Sequence, residues 1–143
     1  IGRYHPGPTG AAASYREAQQ ALAIGQSLLG GQRSTYFGNL GAYRLIFLLR
    51  DSPELEEFYR ETLGTLAEYD QANGSDLVET LESFFACHGN AERTAESLFL
   101  HRNTLAYRLR RIQQLSGLDL KNMEDLFRLQ LALKIRKVVQ PQR

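Results

Sequence analysis

The chain has 143 residues, 43% of them hydrophobic and 23% charged, which is room for one globular domain or for a small domain with part of another. It contains no apolar run near the roughly 20 residues that a membrane span needs, and no signal peptide opens it, so we expect a soluble cytoplasmic protein without a membrane partner. Its single cysteine, Cys87, excludes an internal disulfide and agrees with a reducing compartment.

The net charge of +1 hides a separation of sign along the chain. Residues 51–82 hold ten carboxylates against one arginine, a formal charge of −9, whereas residues 101–116 hold four arginines and no acidic residue. A basic segment can approach phosphate groups, and an acidic segment is repelled by them. The pattern therefore indicates a polyanionic partner for residues 101–116.

The first 49 residues predict a loop, two helices and one strand. Residues 1–10 contain two prolines and three glycines and predict a loop, and because they do not begin with methionine we expect the chain to be a fragment. A helix is predicted from about 11 to 29, with Gly30 and Gly31 as its stop. Its helically spaced face consists of Tyr15, Ala18, Leu22 and Leu29. Ser34–Phe37 is a strand candidate whose sheet partners we expect to be missing from this chain. Gly41–Leu49 predicts a largely buried apolar helix.

An acidic helix is predicted to follow, with Ser52 as its N-cap and Pro53 in its first turn. The face predicted to be apolar, as far as about residue 69, consists of Leu55, Phe58, Thr62, Leu66 and Tyr69. The opposite face carries Glu54, Glu57 and Glu61. These carboxylates could form a metal or acid–base cluster, but no His, Cys or Asp converges on them, so a solvated face is favoured. The turn signal in residues 71–75 predicts a hinge, which divides the chain into domains 1–70 and 71–143.

The helix after the hinge is predicted to begin at Asp76, which forms a capping-box pattern with Glu79, and to end at Gly89. Its inward face is predicted to consist of Leu77, Leu81, Phe84, Phe85 and His88. Cys87 beside His88 does not predict a metal site, because structural zinc needs four ligands and the chain has no second cysteine. We expect no cofactor and no metal. With no nucleophile–base pair or phosphate-binding loop either, we expect no enzyme activity.

Residues 90–116 predict a short helix, a tight turn and a longer basic helix. Asn90 is the predicted N-cap of the first helix, about 91–98, and Ala95 is small where two helices must cross. The apolar stripe of the second helix consists of Leu105, Leu109 and Ile112. The side away from this stripe carries Asn103, Tyr107, Arg110 and Gln114, with Thr104 and Arg111 beside them and Arg102 and Arg108 nearer the edges. This is the helix-turn-helix pattern, whose second helix enters the DNA major groove with its N-terminus first.

The string LFLHRNTLAYRLRRIQQLSGLDL resembles the C-terminal helix-turn-helix of PucR/CdaR-type bacterial regulators. Its RNTL followed by a basic helix is more distantly similar to the factor for inversion stimulation and to NtrC-type activators. The resemblance implies DNA contacts from Arg102, Asn103, Thr104, Tyr107 and Arg108. The basic face of the helix adds Arg110 and Arg111 to this predicted set. Phe99 stands where many such turns have glycine, so it must adopt either an unstrained backbone or a positive φ.

A second resemblance concerns the residues before the acidic helix. The segments GRYHPGP, SYREAQQALAIG and TYFGNLGAYRLIFLL resemble the tail of the GGDEF-like central domain that precedes the DNA-binding end in PucR/CdaR regulators. The GGDEF motif itself is absent from these segments, so no cyclase activity follows. Domain 1–70 is therefore predicted to be the C-terminal remnant of that domain together with connecting helices.

A last helix is predicted from the N-cap Asn122 to about Val139, and its apolar residues cover more than one face. Burial against the helix-turn-helix and the acidic helix, or a dimer contact, explains this equally well. The predicted fold is mainly α: a helix-turn-helix domain preceded by a truncated α+β segment and connecting helices.

The predicted function is that of a sequence-specific transcription regulator. A homodimer would place helix 102–116 of each subunit in the major groove of double-stranded DNA. The resemblance implies control of catabolic genes by a small-molecule effector that binds outside this chain. The alternative is a protein-interaction and dimerisation module that does not bind DNA. RNA binding is disfavoured because no aromatic stacking platform interleaves the arginines.

Overall fold

A computed structural model describes residues 1–29 and 41–139, and within these ranges the chain is helical and forms no strand. The helices are α1 (Pro8–Leu29), α2 (Tyr43–Leu48), α3 (Pro53–Tyr59), a π-helical turn (Arg60–Gly64), α4 (Thr65–Asn73), α5 (Leu77–Ala86), α6 (Ala91–Ser97), α7 (Arg102–Ser116) and α8 (Met123–Val139). The mainly helical fold with a helix-turn-helix is confirmed. The strand predicted at Ser34–Phe37 and the helix stop at Gly30 and Gly31 lie outside the described residues.

The chain forms two compact units: residues 57–133 are one, and the described residues of 1–56 and 134–143 are the other. The core of unit 57–133 is drawn from the π-helical turn and from α4 to α8, with Ala95 as the buried apolar residue of α6. Its fully buried aliphatic side chains are Leu63, Leu66, Leu81, Leu105, Ile112 and Leu129. Burying one such side chain contributes about 1.5–3 kcal/mol, so this core is the main source of stability for the unit.

The segment predicted as one acidic helix consists of α3, the π-helical turn and α4. Of its predicted apolar face, Thr62 and Leu66 are buried, while Glu54, Glu57 and Glu61 are exposed, as a solvated face requires. The helix ends at Gly74, whose φ of 61° is the left-handed conformation that glycine adopts without strain.

The start of α5 differs from the predicted capping box. Asp76 occupies the N-cap position but makes no side-chain capping hydrogen bond. Instead, the carboxylate of Asp70 at the end of α4 accepts hydrogen bonds from the backbone N–H of Leu77 and of Val78, both at 2.9 Å, and from the Ser75 hydroxyl at 2.6 Å. The prediction was wrong because the cap comes from the preceding helix. One carboxylate therefore ties the end of α4 to the first turn of α5.

The ends of α5 and α6 are closed in the same way. In α5, His88 has φ 54°, its N–H donates to the carbonyl of Phe85, and the N–H of Gly89 donates to that of Phe84. After α6, Phe99 has φ 54°, and its backbone N–H donates to the carbonyl of Glu96. The backbone N–H of Leu100 donates to the carbonyl of Ala95. This pair of bonds is the Schellman motif, which satisfies the last carbonyls of a helix. His88 is exposed, so the prediction that it faces inward was wrong.

The predicted N-caps of α6 and α8 are confirmed. The Asn90 side chain accepts a hydrogen bond from the N–H of Arg93 at 2.9 Å, at the start of α6. The Asn122 side chain accepts one from the N–H of Asp125 at 3.0 Å, at the start of α8. Gly117, with φ 71°, ends α7. These residues fix where the chain turns between α6, α7 and α8.

Helix α8 has both buried and exposed apolar residues. Leu129, Ala132 and Leu133 are buried in unit 57–133, whereas Met123 and Phe127 are 79% and 59% exposed. The exposed pair is four residues apart and therefore lies on one side of the helix. Within the part of the chain that the structure describes, no helix is both long and apolar enough to cross a bilayer.

In the other unit, α1 buries a different face from the predicted one. Ala21 and Ile24 are buried, with Tyr43 and Phe47 of α2 packed against them, whereas Tyr15 and Leu22 are 65% and 61% exposed. The predicted face was wrong because α1 has apolar residues on several sides, and spacing alone does not choose among them. Helix α1 begins at Pro8, so the last three residues of the loop predicted for residues 1–10 are helical.

Helix α2 is less buried than predicted. Ile46 is buried, but Leu45, Leu48 and Leu49 are between 54% and 66% exposed, so the prediction of a largely buried helix was wrong. Its six residues make fewer than two turns, which is too short to bury every side.

Candidate nucleic-acid interface

Helix α7 is oriented by the apolar stripe that the sequence predicted. Leu105 and Ile112 are 1% and 0% exposed, and Leu109 between them is half-buried. Because these residues recur at i, i+4 and i+7, they lie on one side of the helix and turn the opposite side to solvent. The packing of α7 against α5 and α6 thereby determines which polar side chains are available to a partner.

The exposed face of α7 is polar and cationic. Its exposed residues are Arg102, Asn103, Thr104, Tyr107, Arg110 and Gln114. Tyr107 is 56% exposed although it is aromatic. At the N-terminus, His101 caps the helix, since its Nδ1 accepts the N–H of Asn103 at 3.1 Å. Five of the seven predicted DNA-binding residues thus lie on this face or at its start.

The other two predicted DNA-binding residues, Arg108 and Arg111, are half-buried and contact the protein. Nη1 of Arg108 donates to the hydroxyl of Thr80 on α5 at 3.1 Å. The guanidinium carbon of Arg111 lies 4.8 Å from the centroid of the Tyr69 ring on α4. Nη1 of Arg111 donates to Oε1 of Gln114 at 3.2 Å, and its Nε is buried without a hydrogen-bond partner.

Thr80 and Tyr69 were not predicted to be part of this region. Thr80 precedes Arg108 by 28 residues, and no local pattern joins them. One weak signal could have indicated that Thr80 is buried. It lies one turn after Asp76, on the same face of α5 as the apolar residues Leu77 and Leu81. Nothing in the sequence indicated that Tyr69 would meet Arg111.

The turn between α6 and α7 carries an exposed aromatic residue in a strained conformation. Phe99 is 97% exposed, and its φ of 54° confirms that it takes the positive value that glycine would adopt more easily. Its neighbours Leu98 and Leu100 are half-buried, so the turn is anchored on both sides of Phe99. The backbone of the turn is therefore set by the Schellman bonds and these two leucines.

Cys87 and His88 are not joined by further metal-ligating side chains among the described residues. Sγ of Cys87 lies 4.0 Å from the hydroxyl of Ser97, and His88 is exposed. Within residues 1–29 and 41–139, no group of three or more His, Cys, Asp or Glu is arranged to hold a metal ion.

Taken together, α5, α6 and α7 have the arrangement of a helix-turn-helix domain. α6 and α7 are joined by a turn of four residues, both pack against α5, and the second helix presents a cationic face. In such domains the second helix lies in the major groove and the first crosses the phosphate backbone. The class of protein is therefore a helix-turn-helix protein.

Comparison with known proteins identifies relatives of the helix-turn-helix domain. Residues 77–135, from the first residue of α5 into α8, match the model of the PucR C-terminal helix-turn-helix domain. The chain is 36% identical over 135 residues to the carbohydrate diacid regulator of Escherichia coli, covering 94% of this chain and 34% of that protein. It is 34% identical over 124 residues to the DNA-binding transcriptional activator AdeR of Bacillus subtilis, covering 86% of this chain and 29% of the relative.

A third relative, the purine catabolism regulatory protein of Bacillus subtilis, is 34% identical over 135 residues, covering 88% of this chain and 23% of that protein. The predicted resemblance to PucR/CdaR-type regulators is confirmed. The chain spans about a quarter to a third of the length of these relatives.

Proposed function

We propose that this chain is the DNA-binding end of a transcription regulator, with α7 as its recognition helix. The observation that carries the proposal is the exposed face of α7, because it combines arginine, asparagine, threonine and tyrosine on a helix whose opposite side packs against α5 and α6. The family match of residues 77–135 and the names of the relatives support the same function. The mechanism is binding without chemistry.

The residues at the start of α7 are proposed to meet the bases. Because such a helix enters the groove N-terminus first, Arg102, Asn103 and Thr104 come nearest to the base edges. An arginine can bond guanine bidentately, an asparagine can bond adenine, and a threonine methyl can contact thymine. Tyr107 and Arg110, one and two turns further on, are proposed to bond phosphates or the groove edge.

A dimer is proposed as the form that binds specific sites. A single recognition helix buries little surface, whereas two helices on half-sites about 34–36 Å apart, or a multiple of that, give tight specific binding. Met123 and Phe127 on α8 form an exposed apolar pair on the DNA-binding unit, and we propose that a second subunit covers it.

The rest of the regulator is proposed from the relatives. These relatives are named a carbohydrate diacid regulator, a purine catabolism regulatory protein and a proline-responsive transcriptional activator. We propose that this protein likewise controls catabolic genes in the bacterial cytoplasm, and that its small-molecule effector binds outside this chain. Residues 1–70 are proposed to be the end of a GGDEF-like central domain with connecting helices, and residues 71–143 the DNA-binding domain.

The test is binding to a short generic DNA duplex, followed by fluorescence anisotropy over a salt series. The logarithm of the binding constant should fall with the logarithm of salt concentration by about 0.9 for each phosphate contact. The double variant Arg102→Ala/Arg110→Ala should have a slope shallower by about one to two. The matched control is Lys121→Ala/Arg128→Ala, which removes two exposed charges outside α7 and should leave the slope unchanged.

Two results would contradict the proposal. One is a salt dependence that becomes as shallow in the control variant Lys121→Ala/Arg128→Ala as in the α7 variant. The binding would then be a nonspecific attraction between DNA and any exposed positive charge of the protein. The other is the absence of binding at low salt even after the chain is cross-linked as a dimer. The second result would favour the protein-interaction module, for which the acidic α3–α4 segment and α8 would be the functional surfaces.

A further inference from the structure

We propose that Arg108 and Arg111 are positioning residues that fix the DNA-facing side of α7 through Thr80 of α5 and Tyr69 of α4, and that neither guanidinium contacts DNA. The inference rests on the proposed function and divides the cationic residues of α7 into two groups. Arg102 and Arg110 are free to meet DNA, and Arg108 and Arg111 are engaged within the protein.

The first anchor is a chain of two hydrogen bonds. The Thr80 side chain is fully buried, and its hydroxyl donates to the carbonyl of Asp76 at 2.7 Å. A hydroxyl has one hydrogen to donate, so the remaining lone pairs of this oxygen need a donor, and Arg108 supplies it at 3.1 Å. The bond holds Nη1 of Arg108 against α5, and breaking it to turn the guanidinium towards a phosphate would leave a buried acceptor without its donor, which is unfavourable.

The second anchor is the stacking of Arg111 on Tyr69. A guanidinium over an aromatic ring is attracted by the negative face of the ring, and the planar arginine head suits this better than a lysine ammonium. Nε of Arg111 is buried, so the inner part of its head is enclosed by protein. Arg108 and Arg111 are three residues apart and so lie on one flank of α7, where together they oppose rotation of the helix about its axis.

Arg111 also orients a residue of the exposed face. Arginine has only donors, so the Gln114 group that receives its hydrogen bond at 3.2 Å is the amide oxygen. The amide NH2 of Gln114 is left for solvent or a partner. Gln114 therefore presents a hydrogen-bond donor, which suits a phosphate oxygen or a guanine acceptor.

The experiment compares three variants that remove one charge each from α7: Arg108→Met, Arg110→Met and Arg111→Met. Methionine keeps an unbranched stem in each case. We expect Arg110→Met to make the salt slope shallower by about 0.9, as loss of one phosphate contact does. We expect Arg108→Met and Arg111→Met to keep the wild-type slope and to lower the affinity about three- to tenfold at every salt concentration, because the reading face is displaced. A slope reduced by about one unit in either variant overturns the proposal.

Variants of the two partners leave every residue of α7 in place. Tyr69→Leu and Thr80→Val should lower the affinity as much as Arg111→Met and Arg108→Met do, and Tyr69→Leu/Arg111→Met should lose no more than either single variant. Thr80→Ser keeps the hydroxyl acceptor and should bind like the wild type. Wild-type affinity in both Tyr69→Leu and Thr80→Val contradicts a positioning role.

A measurement without DNA separates this inference from the proposed function. Amide resonances along α7, such as those of Tyr107 and Gln114, should shift alike in Arg111→Met and in Tyr69→Leu. If the wild-type protein fails to bind DNA while these shifts agree, the proposed function is wrong and the anchoring of α7 stands. If the α7 resonances stay in place in Tyr69→Leu, the anchoring itself is refuted.

Discussion

The capping of α5 by Asp70 predicts an unusual result from two aspartates of the same turn. Sequence pattern assigns the cap to Asp76, so Asp76→Ala would be expected to destabilise α5. In the structure Asp76 makes no side-chain capping bond, whereas Asp70 accepts bonds from Leu77, Val78 and Ser75. We therefore expect Asp70→Ala to destabilise α5 much more than Asp76→Ala does, which is the reverse of what the sequence pattern predicts.

The expected loss of stability follows from the hydrogen-bond donors that each substitution leaves without an acceptor. Replacing an ordinary N-cap costs about 0.5–2 kcal/mol, and hydrogen bonds to a charged acceptor lie at the upper end of the usual range. Asp70→Ala removes an acceptor from two N–H groups and a hydroxyl, so we expect a loss of about 2–3 kcal/mol. Asp70→Asn keeps one oxygen and should lose about 1 kcal/mol. Asp76→Ala removes only an exposed charge near the start of the helix, worth about 0.5 kcal/mol or less.

The assay is thermal unfolding followed by far-UV circular dichroism, with amide hydrogen exchange of Leu81 and Phe84 as a local probe of α5. For a unit of this size 1 kcal/mol corresponds to about 4–8 °C, so Asp70→Ala should lower the midpoint by about 10–20 °C. Exchange in α5 should accelerate with it, because the first turn of the helix opens more readily. An Asp76→Ala variant that is destabilised as much as Asp70→Ala, or more, would contradict the assignment of the cap to Asp70.

Three further predictions concern a turn, the core and an ion pair. Phe99→Gly should raise the stability by about 0.5–1 kcal/mol in urea unfolding, because it relieves a positive φ at a 97% exposed residue; a loss of stability would contradict this. Ile112→Ala should cost about 3–4 kcal/mol and Leu109→Ala clearly less, since only Ile112 is fully buried; equal losses in calorimetry would count against the assigned orientation of α7. Hydrogen bonding from the side chain of Arg3 lowers the pKa of Glu17 from its usual 4.5 to about 2. Because that pKa is lowered by folding, the stabilisation is present above about pH 4.5 and is lost as the pH falls towards 2. In Arg3→Ala the NMR titration midpoint of Glu17 should move up towards 4.5, and an unchanged midpoint would exclude Arg3 as the cause.

Much of the DNA-binding unit could be predicted from sequence because its signals are local. A cap, a left-handed glycine and an i, i+4, i+7 stripe each involve residues within one or two turns of each other. Asn90 and Asn122 therefore marked the starts of α6 and α8 correctly, and Leu105 with Ile112 predicted which side of α7 is buried. The basic face and the helix-turn-helix pattern followed from these assignments.

The remaining features depend on contacts between residues that are distant in sequence. Periodicity in α1 was compatible with several faces, and only the packing of α2 selected Ala21 and Ile24 over Tyr15 and Leu22. The cap of α5 came from α4, because the turn at Gly74 brings the Asp70 carboxylate to free N–H groups.

The four arginines of α7 are identical in chemistry, and their position in a helically patterned segment was enough to predict a cationic helix. Which of them are available to a partner depends on the packing of α7 against other helices. A buried hydroxyl on α5 engages Arg108 and an aromatic ring on α4 engages Arg111, while no such group lies beside Arg102 or Arg110 among the described residues. The physical reason is that a side chain is directed by the groups packed around it, and for a helix those groups belong to other parts of the chain.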